Sequence, residues 1–103
     1  MSASRTPWPS ATPPSKAELE ELCRGEGLSS GCWSNGPGDR YGVHSHPYHK
    51  VLYCAEGSIR FVIESMAEAI DLSPGDRLDI EPGTPHSAVV GPDGVSCVEA
   101  ARL

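Results

Sequence analysis

GDRYGVHSHPYHKVLYCAEG, residues 38–57, holds three of the chain's four histidines, all within His44-Ser45-His46-Pro47-Tyr48-His49. Residues two apart in an extended strand point to the same face, so His44 and His46 project together. Two imidazoles ~7 Å apart along one face can converge on a single cation through nitrogens about 2 Å from it. By itself the H-x-H string also describes two solvated histidines at a strand start before Pro47. Alternation continued from His46 places Lys50, Leu52 and Cys54 on one face and turns His49 away, toward solvent or packing. Glu56-Gly57 reads as a tight hairpin between Lys50–Ala55 and Ser58–Glu64, with Ile59, Phe61 and Ile63 on the matching face of the next strand. Arg60, between Ile59 and Phe61, faces outward as a surface charge.

Downstream, GDRLDIEPGTPH, residues 75–86, ends on the fourth histidine, His86. Turn signals at Gly36-Pro37-Gly38-Asp39, Ser73-Pro74-Gly75-Asp76, Glu81-Pro82-Gly83-Thr84-Pro85 and Gly91-Pro92-Asp93-Gly94 recur about every ten residues from Gly31 on. That rhythm predicts short strands in an all-β barrel or sandwich. The composition agrees, because 11 glycines and 10 prolines in 103 residues suit turns and are rejected by helix interiors. Upstream, Ser15-Lys16-Ala17-Glu18 is a capping box, and Leu19, Leu22 and Cys23 fall at helical spacing before Gly25 and Gly27. The reading is therefore one domain over residues 15–103 that includes a short helix over 15–25. Residues 1–14, with four prolines, read as an extended or disordered arm that contributes nothing to a core.

The two glycine-bounded stretches together resemble the cupin superfamily. The first motif of that family runs Gly, five residues, H-x-H, three or four residues, Glu, six residues, Gly. Here it is matched by Gly38, His44-x-His46, Lys50 and Gly57. The second motif runs Gly, five residues, P-x-G, two residues, His, and is matched by Gly75, Glu81-x-Gly83 and His86. Glu81 replaces a proline, and Lys50 stands where the family places a metal-binding glutamate. The resemblance implies a double-stranded β-helix, or jelly-roll, barrel. It also implies a divalent transition metal (Fe, Mn, Ni or Zn) on His44, His46 and His86, for O₂-dependent oxidation or an isomerisation of a small molecule inside the barrel. A three-histidine site without a carboxylate resembles the thiol dioxygenase branch. Non-catalytic readings stay open: a small-ligand-binding or sensor module, or a structural cupin with a degenerate site.

Leu52, Cys54 and Phe61 are the expected substrate-pocket residues. An ammonium beside a divalent ion costs Coulomb energy, so Lys50 either works in the site or disables it. Its working roles would be general base or anchor for an anionic group; its bland role is to extend its stem toward solvent. Tyr41, Tyr48 and Trp33 read as mouth or core aromatics.

Eight basic against fourteen acidic residues leave a net charge of −6, which disfavours a phosphate-backbone partner. No apolar run approaches 18 residues and the first ten contain no hydrophobic segment, so the expectation is a cytoplasmic protein that does not use a membrane. Cys23, Cys32, Cys54 and Cys97 never form C-x-x-C and read as reduced, buried thiols. Val51 and Tyr53 fall on the barrel's outer face and need covering, which points to a homodimer.

Overall fold

In chain order the described residues, 2–103 of a computed structural model, form β1 (Ala3–Thr6), α1 (Lys16–Gly25), β2 (Ser30–Asn35) and β3 (Arg40–His44). There follow β4 (His49–Ile63), β5 (Glu68–Leu72), β6 (Arg77–Ile80) and β7 (His86–Arg102). All strand pairs are antiparallel, and β4 and β7 run side by side along their whole lengths. The first half of β4 pairs β6, which pairs β1, while the second half of β7 pairs β2. The second half of β4 pairs β5, and the first half of β7 pairs β3. Each long strand thus belongs to both halves of a folded sheet. Leu52, Cys54, Leu78 and Ile80 from one half meet Ile59, Phe61, Ile63, Ile70, Leu72, Ala88 and Val90 from the other in one core. This is an all-β barrel with one helix.

Glu56-Gly57 is not a hairpin. β4 passes through it unbroken, with register shifts between Cys54 and Glu56 and between Gly57 and Ile59. A bulge bends a strand where a turn would reverse it. Gly57 has φ +74°, and a Cβ there would lie 1.9 Å from the Gly94 carbonyl oxygen, so only glycine fits the bend. β7 likewise continues through Gly91–Gly94, where four residues stand between the pairings of Val90 and Val95. The turns at 36–39, 73–76 and 81–84 do close, through the amides of Asp39, Asp76 and Thr84.

α1 starts at Ser15 with the expected capping box, the Ser15 hydroxyl accepting from the Glu18 amide and the Glu18 carboxylate from the Ser15 amide. Leu19 and Cys23 are fully buried, whereas Leu22 is 42% exposed and falls outside the packed stripe. The helix covers a second core of Val51, Tyr53, Ala55, Val98 and Ala100 on the outer sheet face. The apolar surface on which the homodimer was expected is therefore covered by the chain's own helix. Burying Leu19 alone is worth about 1.5–3 kcal/mol. The helix end is pinned by Arg77, which pairs with Glu26 and Asp79 and lies 5.6 Å over the Tyr53 ring, while Arg102 also reaches Glu26 at 2.7 Å.

The proline-rich start departs from expectation. Residues 3–6 add a strand to the edge of β6 and bury Ala3 in the core. Besides the pairing with β6, the segment is held by Asp76, a buried carboxylate that accepts from Arg5, from the Trp8 amide at 3.1 Å and from the Ser73 amide at 2.9 Å. Proline content reports chain stiffness and says nothing of such an acceptor.

Candidate metal centre

β3 carries an extra residue between its pairings Tyr41–Ala88 and His44–His86, and this bulge sets His44 directly opposite His86. The strand ends at His44, so His46 projects from the loop before β4 and not from the same strand. That loop is held by the Gly83 amide, which donates to the His46 carbonyl at 2.7 Å and so joins the two motif turns. Ring centroids lie 4.3 Å apart for His44 and His86, 4.9 Å for His44 and His46, and 5.4 Å for His46 and His86. One nitrogen from each ring lies within 4.8 Å of the others.

The tautomers suit ligation. Nδ1 of His44 lies 2.8 Å from the Gly42 carbonyl and Nδ1 of His86 lies 2.8 Å from the Thr84 carbonyl. Each Nδ1 must carry the proton to donate to a carbonyl, which leaves an Nε2 lone pair free. Nε2 of His46 and of His86 are buried without a hydrogen-bond partner among the described residues. Burial lowers the proton affinity of both rings below the ordinary imidazole value, and the positive charge of Lys50 acts in the same direction. Neutral imidazoles with buried, unpartnered acceptors are what a divalent transition metal requires, so the three residues fit such an ion.

Beside His44 opens a cavity of about 160 Å³, walled by Trp33, Tyr41, Phe61 and Ala88 and carrying Lys50 and Glu99. Lys50 is 8% exposed, and its Nζ lies 3.0 Å from Glu99 Oε2. Leu52 faces Glu99 across β4 and β7, and Lys50 faces Ala101, so the pair is a diagonal neighbour on one inward face. Of the expected pocket residues, Phe61 lines the cavity, whereas Leu52 and Cys54 are fully buried in the core beneath it. Burial pushes the Cys54 thiol up to about 12, which makes it inert filler. Sequence reading missed Glu99; the signal was a charge that continues the stripe Val95, Cys97 two residues further on. Trp33 packs edge-on to Tyr41 at 5.8 Å, and its indole Nε1 is buried with no acceptor among the described residues.

Other candidates lie apart. His49 turns away from the triad and bonds Asp79 at 2.8 Å. Tyr48 is the exception, stacked on His46 with ring centroids 4.9 Å apart. Arg60 is on the surface, paired with Asp71.

A bent, two-faced antiparallel barrel with histidines on β3, the β3–β4 loop and β7 is the architecture of cupins. A family model described as a cupin domain matches residues 33–97, and the chain belongs to that family. No curated protein gives a significant match. Among solved structures, KdgF from Halomonas sp. is 29% identical, with a TM-score of 0.58 over 74% of this chain and 70% of that one. The polyketide cyclase RemF from Streptomyces resistomycificus is 24% identical with a TM-score of 0.65 over 72% of this chain, which spans only 53% of the cyclase. A cupin superfamily protein from Desulfitobacterium hafniense DCB-2 is 11% identical and aligns over 99% of this chain and 78% of its own, with a TM-score of 0.65. The latter two likenesses concern the fold.

Proposed function

We propose that this cupin is a metal-dependent enzyme for a small molecule, with His44, His46 and His86 holding one divalent transition metal ion beside the cavity. The observation that carries the reading is the pair of buried, unpartnered Nε2 atoms of His46 and His86 within a three-histidine cluster. A buried acceptor without a partner costs about 1–3 kcal/mol, and a resident ion removes that cost. When bound, the ion supplies Lewis-acid polarisation of a substrate oxygen. Between the oxidation and isomerisation that the family implies, the cavity favours a redox-neutral isomerisation. Its wall carries one carboxylate, Glu99, able to accept a proton and one ammonium, Lys50, able to return one. The proton count is unchanged over the cycle and no external electron acceptor is needed.

Elemental analysis of the purified protein tests the reading. About one equivalent of a transition metal per chain is expected, lost in His86→Ala. Metal contents near zero after incubation with Mn²⁺, Fe²⁺, Ni²⁺ and Zn²⁺ in turn would leave a ligand-binding module in place of a metalloenzyme. Oxygen consumption coupled to substrate turnover would replace isomerisation with oxidation.

A further inference from the structure

The cavity wall is neutral as a whole although it contains two charges. Lys50 and Glu99 are 3.0 Å apart, and among the described residues no second ion pair involves either. A bound ligand with its own net charge would leave one charge in that wall unbalanced. A ligand that presents a hydroxyl to the Glu99 carboxylate and a carbonyl oxygen to the Lys50 ammonium leaves the charges balanced. Trp33 adds an aromatic wall, its Nε1–H being buried out of reach of the cavity. The remaining walls, Tyr41, Phe61 and Ala88, are apolar and suit the faces of a ring. At about 160 Å³ the volume matches cavities that take a single benzene-sized ring.

We infer that the substrate class is an uncharged, ring-sized hydroxy-carbonyl compound, its hydroxyl on Glu99 and its carbonyl oxygen on Lys50. This rests on the reading of the cavity as the substrate site, though the recognition itself uses no metal. In the metal-free protein the ion pair selects for a donor beside an acceptor and against carboxylates.

The test uses 2-hydroxycyclohexanone against cyclohexanone, cyclohexanol and cyclohexanecarboxylate, titrated by calorimetry and saturation-transfer NMR into EDTA-treated protein and then into Mn²⁺-loaded protein. On the EDTA-treated protein, 2-hydroxycyclohexanone should bind about tenfold more tightly than each comparator, because each comparator leaves a buried partner unmet. Glu99→Gln keeps the shape and leaves Lys50 unbalanced, so the preference should invert toward cyclohexanecarboxylate. Equal affinities for all four probes, or a carboxylate preference in the unmodified protein, would overturn the substrate class while leaving the metal reading intact. Selective binding to EDTA-treated protein that never takes up Mn²⁺ would uphold the substrate class and discard the metal. Binding seen solely with Mn²⁺ and unaffected by Glu99→Gln would assign recognition to the ion and overturn the inference.

Discussion

His44 and His86 stand directly opposite each other across β3 and β7, their ring centroids 4.3 Å apart and each Nδ1 facing a backbone carbonyl two residues back. The same local device therefore aims both rings. Because Gly42 and Thr84 supply their carbonyls from the backbone, neither hydrogen bond depends on a further side chain. His46 completes the set from a loop whose position is fixed by the Gly83 amide. Replacing His46 by Ala should lower metal affinity by at least ~tenfold, with a matching loss of metal-induced thermal stabilisation. Differential scanning fluorimetry with and without Mn²⁺ checks this; an unchanged shift would remove His46 from the ligand set.

Gly57→Ala should be among the most damaging single changes. The substitution asks for φ near +74° and drives a methyl group to within 1.9 Å of the Gly94 carbonyl oxygen. Backbone must move on both long strands, so a loss of several kcal/mol is expected. Soluble yield and urea denaturation report it, and a midpoint close to that of the unmodified protein would mean that the bend is not held there.

The same bend explains how much of the molecule was legible beforehand. The cupin resemblance carried by spaced glycines and histidines was enough for the barrel and for bringing His44, His46 and His86 together. Side-chain parity was harder. On β4 the inward residues are Lys50, Leu52 and Cys54 before Gly57, then Ile59, Phe61 and Ile63 after it. On β7 they are His86, Ala88 and Val90 before Gly91–Gly94, then Val95, Cys97 and Glu99 after it. Counting by twos from His86 puts Glu99 outside, and the partner of Lys50 is lost. A bulge that changes parity and a hairpin that reverses direction leave the same alternation in the sequence, so β4 reads as two strands. The docking of residues 3–6 was illegible for another reason: it depends on the carboxylate of Asp76, some 70 residues away.

Arg77→Ala should unpin α1. Arg77 is mostly buried and bridges Glu26 at the helix end to Asp79 on β6. Both carboxylates lose their principal partner, and a cost of about 2 kcal/mol, or a drop of ~10 °C in Tm, is expected. A change below about 0.5 kcal/mol in urea titration would place the pair among ordinary surface contacts.

Acid should weaken the fold through that same network. Burial tends to raise the Asp79 carboxyl, but hydrogen bonds from Arg77 and His49 outweigh it and hold it below its ordinary 3.8. The Arg77 hydrogen bond likewise lowers Glu26 below its ordinary 4.5. Below those ordinary values the unfolded chain takes up protons that the folded one still refuses. The stabilisation is therefore complete above about pH 4.5 and disappears as pH falls through the two lowered values. Urea midpoints between about pH 6 and pH 3 should fall less steeply in Arg77→Ala than in the unmodified protein. Parallel curves would show that the shifts lie elsewhere.

Thiol reactivity should separate Cys32 from the other three. Sequence reading expected all four cysteines inside, but Cys32 is exposed on β2 while Cys23, Cys54 and Cys97 are buried. Burial raises the pKa of each of those three, so little thiolate is available to attack. With an aromatic disulfide reagent, one equivalent should react quickly in the folded protein and four after unfolding without reductant. Fast reaction of two or more in the folded state would contradict the packing of the barrel interior.

Lys50→Glu probes the centre most directly, because in sequence Lys50 falls where the resemblance to cupins places a glutamate. In the unmodified protein its ammonium balances Glu99 at 3.0 Å. The substitution removes that cation and sets a second carboxylate against Glu99 in the cavity wall. Without metal the like charges repel, and the melting temperature should fall by several degrees. With Mn²⁺ the outcome reverses, since a hard divalent ion attracts both carboxylates and gains oxygen donors that suit it. The Mn²⁺-induced rise in melting temperature should then exceed that of the unmodified protein, with affinity at least ~tenfold higher, about 1.4 kcal/mol. Glu99→Gln combined with Lys50→Glu removes the repulsion and should restore the metal-free melting temperature while keeping part of the Mn²⁺ gain. If Lys50→Glu leaves the Mn²⁺ response unchanged while His46→Ala abolishes it, position 50 lies too far from the ion to act on it. The Lys50–Glu99 pair would then belong to the cavity wall alone.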